Sequence, residues 1–142
     1  MFKDNLIQLR KLKKLTQEDV AEKIGVSRQS VAKWESGESV PDLERGRKLA
    51  DLLGVSLDDL TDYDSEANFG VAAPPKGKHM FGFVTVGDKG QIVIPAKARK
   101  VFGIEPGDQL VVLGDESQGL AIIRPEILMA FINGFAQTSR SE

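Results

Sequence analysis

Residues 15–37 read LTQEDVAEKIGVSRQSVAKWESG, and the rest of the chain is best understood outward from them. Thr16 and Ser27 stand eleven residues apart, and each has an apolar residue just before it (Leu15, Val26) and another four residues after it (Val20, Val31). A hydroxyl that accepts a backbone N–H, set between apolar residues at N′ and N4, marks a helix start. Gly25 suits a helix stop, so the pattern predicts a helix, a short turn containing glycine, and a second helix. On that second helix Val31 and Trp34 fall three apart and can face a core. Arg28, Gln29 and Lys33 then point elsewhere, with Gln29 and Lys33 one turn apart on a common face. Arg and Lys match the O6 and N7 acceptors of guanine, and Gln matches adenine N6 and N7 in two bonds. Gln17 and Ser27 stand at helix N-termini, where amide N–H groups and the helix dipole favour a phosphate.

The flanks extend the helical reading. Leu6, Leu9 and Leu12 recur at three-residue steps among Lys3, Arg10, Lys11, Lys13 and Lys14, which predicts an amphipathic first helix. Pro41 and Asp42 open another helix, carrying Leu43, Leu49, Ala50, Leu52 and Leu53 and stopped by Gly54. Gly46 inside it is a weak helix former, costing about 1 kcal/mol relative to Ala. Ser56, between Val55 and Leu60, repeats the start signal once more. Residues 1–61 are therefore expected to be an all-α domain of five short helices.

Composition changes at Asp62. Residues 62–79, DYDSEANFGVAAPPKGKH, hold paired prolines and no usable period. They read as a flexible linker with an r.m.s. reach of about 25 Å, and His79 as a residue within it without a special task. From residue 80 the period becomes two. FGFVTV, QIVI, QLVVL and LAIIR are short β-rich runs, with a helical insert Pro95–Phe102 between the second and third. Four short strands and one helix cannot bury Val84, Val86, Ile92, Ile94, Leu110, Val112 and Ile122 and also close their own sheet edges. Interleaved hairpins from two chains do both, so residues 80–125 are expected to dimerise. Pro125-Glu126 then opens a terminal amphipathic helix, Ile127–Phe135, within a tail of residues 126–142.

Residues 6–60 resemble the Xre/Cro-type helix-turn-helix family of phage repressors and bacterial regulators. The resemblance is carried by Thr16-Gln17, Gly25-Val26-Ser27 and Trp34-Glu35-Ser36-Gly37, followed by VPDLERGRKLADLLGVSLDDL. It implies base reading by Arg28, Gln29 and Lys33, backbone contacts by Gln17, Ser27 and Ser30, and a brace between Arg10 and Glu35 behind the reading helix. Gly46 departs from the family pattern, away from the reading face. Residues 81–125 resemble the AbrB/SpoVT/MazE-type swapped-hairpin barrels, through GQIVIP at 90–95 and Gly103-Ile104, Pro106-Gly107-Asp108. That likeness implies a small, mainly β barrel domain built by two chains. Basic residues of the AbrB branch contact DNA. Here Val84 and Gln91 replace two of them, while Arg99 and Lys100 remain as an auxiliary DNA contact.

Charge and composition bound the alternatives. The 142 residues carry a net charge of -2, with one His and no Cys. The absence of thiols excludes disulfides, thiolate zinc sites, iron–sulfur ligation and a cysteine nucleophile. One imidazole supplies no histidine metal cluster, and no cofactor is expected. Asp58, Asp59 and Asp62 are clustered carboxylates without an accompanying base, nucleophile or metal set, so an enzyme is not expected. Residues 1–48 lean basic, 11 against 8, whereas residues 81–142 balance at 6 against 7. The longest apolar run, Ile127–Ile132, is six residues, and Lys3 and Asp4 follow Met1 without an apolar signal core. A cytoplasmic location without membrane association is the expectation. The sequence thus predicts a homodimeric regulator, acting as a repressor, that reads an inverted repeat in double-stranded DNA and tolerates varied half-site spacing through its loose tether. The rival reading is an antitoxin whose apolar segment 127–135 grips a toxin partner. A purely structural scaffold is the third.

Overall fold

A computed structural model describes residues 1–130, 132 and 133. The chain divides into two compact units, Met1–Pro95 and Ala96 onward. The first holds α1 (Phe2–Leu12), α2 (Gln17–Ile24), α3 (Arg28–Ser36), α4 (Leu43–Leu53) and α5 (Leu57–Asp62). The helix starts are built as the hydroxyl and carboxylate pattern dictates. Thr16, Ser27, Asp42 and Ser56 each accept the backbone N–H three residues on. At Thr16 the cap is reciprocal, because the Asp19 carboxylate takes the Thr16 N–H at 2.8 Å. Gly25 ends α2 in the left-handed region (φ 77°), which spares the turn a Cβ penalty.

The apolar partners of those caps make the core. Leu6, Val20, Val31, Leu49 and Leu60 are fully buried, with Leu9, Ile24, Trp34, Leu53 and Val55 around them. Burying each such side chain contributes roughly 1.5–3 kcal/mol. Gly46 is also buried, and its missing Cβ would lie 3.4 Å from Leu57 Cδ1, so α5 packs closely on α4 there. Asn5, 1% exposed, donates its amide to the carbonyls of Asp59, Leu60 and Tyr63, closing the end of α5 from α1.

Residues 62–79 depart from the expected flexible linker. Tyr63 and Ala73 are buried in the helical core, and Ala72 and Met80 pack against it. A 3₁₀ turn, Glu66–Asn68, intervenes. The Tyr63 hydroxyl donates to the Val71 carbonyl at 3.0 Å, Gln8 Nε2 to the Gly70 carbonyl at 2.8 Å, and the Lys76 N–H to the Gly54 carbonyl at 2.8 Å. The physical reason is that the stretch carries its own apolar and hydrogen-bonding anchors, spaced too irregularly to register as a period. His79 stacks on Phe81 with ring centroids 5.2 Å apart.

Of the four β-rich runs, two pair in the single chain. β1 (Val111–Asp115) and β2 (Gly119–Ile123) form an antiparallel ladder from Val111↔Ile123 to Asp115↔Gly119. The runs at 81–86 and 91–94 flank a tight turn in the first unit, closed by Gly87 N–H to the Gln91 carbonyl at 2.8 Å. The expected insert helix is α6 (Ala96–Phe102), in the second unit. The division at Pro95 therefore differs from the boundary at residue 80 read from composition, because Met80 stays packed on the helices and Phe83 stands edge-on to Phe69 at 4.8 Å. Arg124 ties the second unit together, donating to the Phe102 and Gly103 carbonyls at the end of α6 and pairing with Glu126. Pro125–Ile127 form a 3₁₀ turn that runs into helical backbone at 128–130. Of the expected terminal helix, Phe131, Gly134 and Phe135 lie outside the described residues, as does the tail beyond. Among the described residues, no helix is long and apolar enough to cross a membrane.

Candidate nucleic-acid interface

α3 presents two unlike faces. Val31 (0% exposed) and Trp34 (5%) seat it in the core, while Arg28, Gln29 and Lys33 are exposed. Ser27 starts the helix, accepting the Ser30 N–H at 3.1 Å, and its hydroxyl also lies 3.0 Å from that of Ser30. The helix offered to a partner thus has its first turn fixed from within, with three long polar side chains left outward.

Behind it, Glu35 is the organising group. Arg10 on α1 donates from Nε to Glu35 Oε2 at 2.7 Å and from Nη2 to Oε1 at 2.9 Å, a two-pronged pair with side-chain exposures of 13% and 8%. The hydrogen bond to Glu35 holds the Arg10 guanidinium above its ordinary pKa. Arg10 Nη1 also donates to the Leu15 carbonyl at 2.9 Å, and Gln17 Nε2 to Glu35 Oε1 at 3.2 Å. Arg10 and Glu35, the brace implied by the family likeness, and Gln17, which the likeness assigned to the DNA backbone, therefore form one network joining α1, α2 and α3. The link from Gln17 to Glu35 escaped the sequence reading. So did the reciprocal cap at Asp19, although its three-residue offset from Thr16 was a usable signal.

Arg28, Gln17, Thr16 and Lys14 line a shallow depression of about 380 Å³ together with Arg10, Leu15 and Glu18. It sits at the α2 N-terminus, with two exposed cationic side chains at its edge, and such a place suits a phosphate. Asp58 and Asp59 occupy the first turn of α5, where the helix dipole favours negative charge.

In the second unit Arg99 and Lys100 are exposed on α6. In the first, Val84 is 44% exposed. Gln91 folds over its own turn, its Oε1 accepting the Lys89 N–H at 3.1 Å. That local role was not legible from composition.

The chain matches two families. Residues 6–60 match the helix-turn-helix family, and residues 83–127 match the family described as antidote-toxin recognition MazE, bacterial antitoxin. Over 65 residues the chain is 41% identical to an uncharacterised helix-turn-helix-type transcriptional regulator, MJ0272, of Methanocaldococcus jannaschii, covering 46% of this chain and 98% of that one. The chain belongs to the helix-turn-helix family of transcriptional regulators. Other helix-turn-helix relatives include the transcriptional activator BcrR of Enterococcus faecalis, 42% identical over 59 residues, which are 42% of this chain and 29% of BcrR. The cryptic phage CTXphi transcriptional repressor RstR of Vibrio cholerae is 43% identical over 59 residues, 42% of this chain and 53% of RstR. The match thus spans under a third of one of these longer regulators and about half of the other. All three likenesses are about the length of the helix-turn-helix segment.

Proposed function

We propose that this protein is a homodimeric, sequence-specific DNA-binding transcription regulator that reads an inverted repeat and represses from it. The observation that carries the reading is the outward row Arg28, Gln29 and Lys33 on a helix braced from behind by Arg10 and Glu35. Arg28, Gln29 and Lys33 would meet base edges in the major groove, and Gln17, Ser27 and Ser30 the backbone beside them. Residues 1–61 supply the reading head and residues 80–125 the dimerisation domain. Arg99 and Lys100 are the auxiliary contact. Repression requires only that operator occupancy excludes polymerase, whereas activation requires a further contact surface. Catalysis and a cofactor have no part in this reading.

Dimerisation is supported by what one chain leaves uncovered. Val112 and Ile122 are cross-strand partners 62% and 44% exposed, and Leu120 beside them is 81% exposed. A two-stranded ribbon with an apolar face is marginal in water and gains stability from further strands. A dimer also makes the second half-site contact intramolecular, raising avidity by about 10²–10⁴.

In-vitro selection of bound duplexes with the full chain tests the reading, with mobility-shift titrations of the product. A palindromic motif is expected, and Arg28→Ala, Gln29→Ala and Lys33→Ala should each weaken its binding about tenfold or more without lowering Tm. Unselected output, or unchanged affinity in all three variants, refutes it. The MazE-type match favours one second reading, an antitoxin that also binds a toxin. It requires a small toxic protein, encoded alongside, that forms a stoichiometric complex with this chain and is neutralised by it.

A further inference from the structure

We infer that residues 63–83 are a strap that sets the permitted distance between operator half-sites, so that spacing is a specificity determinant built into the head. The inference rests on the dimeric reading proposed above and deepens it. The anchors recur along the whole stretch: Tyr63 and Ala73 in the helical core, Gly70 held by Gln8, Val71 by the Tyr63 hydroxyl, Lys76 by Gly54, and Met80 against the core. Phe69, itself 82% exposed, folds the stretch back on its own end. Its backbone is left-handed (φ 54°), a conformation bulky side chains rarely adopt, and its ring meets Phe83 edge-on. Phe83 is also the first residue of the MazE-type match.

The consequence is one of reach. A free chain of this length would wander by about 25 Å r.m.s.. The longest run between the later anchors, from Lys76 to Met80, leaves three residues, which span at most about 10 Å. The slack that would let two heads serve many spacings is taken up before the β segment begins.

The test uses the full-length protein and duplexes carrying two copies of the selected half-site, moved apart in single base-pair steps. Wild type should show one optimum, and a shift of half a helical turn (about 5 base pairs) should lower affinity at least tenfold. A Gln8→Ala/Tyr63→Phe variant, which cuts two hydrogen bonds and keeps the packed ring, should lose less than threefold on the same shift. Its affinity for a single half-site should stay within twofold of wild type. If that variant is poorly folded, a six-residue Gly/Ser insertion after Gly82 serves. It should flatten the spacing profile, whereas the same insertion in a free 18-residue linker lengthens r.m.s. reach by only about one-seventh. The amides of Val71 and Lys76 should also be protected from hydrogen exchange. A flat wild-type profile that still gains from the second half-site overturns the strap and leaves the dimer standing. Lys76 and Val71 exchanging at unfolded-chain rates also overturns it. No gain from a second half-site at any spacing defeats the dimeric reading, and the strap with it.

Discussion

Glu35 accepts three hydrogen bonds from two helices while only 8% of its side chain is exposed. A carboxylate in that position is stable only while its cation is present. Arg10→Ala leaves the charge buried and unpaired, and we expect a loss of about 3 kcal/mol in urea unfolding. Arg10→Met with Glu35→Leu should recover most of it, because removing both charges avoids the desolvation cost that removing one exposes. If the single and double variants are equally unstable, the packing of the Arg10 stem matters more than the pair. Arg28, Gln29 and Lys33, the base-reading residues of our proposal, are the reverse case: exposed and removable without cost to the fold.

At the scale of elements, α2 and α4 are held at their first turns by short-range carboxylate bonds that respond to acid. The backbone N–H of Thr16 holds the Asp19 carboxyl below its ordinary pKa, and the backbone N–H of Arg45 does the same for Asp42. A depressed carboxyl contributes stability above its unfolded value, about 3.9, and loses it as pH falls through the folded value. Tm should therefore decline below about pH 4, and Asp42→Asn, which keeps a capping oxygen, should make the decline shallower. An identical acid profile in that variant would remove Asp42 from the account. The Thr16 and Asp42 starts were legible in the sequence because cap, staple and stop lie within a few residues of one another, as at Thr16, Val20 and Gly25, whereas the return bond to Asp19 was not read. The outward face of α3 was legible for the same reason. The strap was not. Its ties run from Gln8 to Gly70 and from Gly54 to Lys76, across 62 and 22 residues, and no local period reports such pairs. The Gln17–Glu35 bond stayed hidden for want of the same long-range information.

On the scale of the whole molecule, the two units differ in how much of themselves they bury. The helical unit has a core with several side chains fully enclosed, whereas Ala98 is the one buried residue among those described from Ala96 onward. The β-rich runs at 81–86 and 91–94 likewise leave Val86 and Val93 64% and 73% exposed. An assembly that covers such surface should be sensitive to charge placed within it. Ile122→Asp is expected to convert a dimer in sedimentation to a monomer and to lower affinity for the full palindrome by about 10²-fold or more, with single half-site binding retained. A dimer that survives the change would place the interface elsewhere.

The amide of Asn5 reaches carbonyls 54, 55 and 58 residues later in the chain. During translation the first helix is made at once but must wait for Tyr63, some 3–12 s behind it at ordinary elongation rates. Until then its apolar side can pack on α3 but not on α5. The seam between α1 and α5 therefore closes only after α2, α3 and α4 have been made.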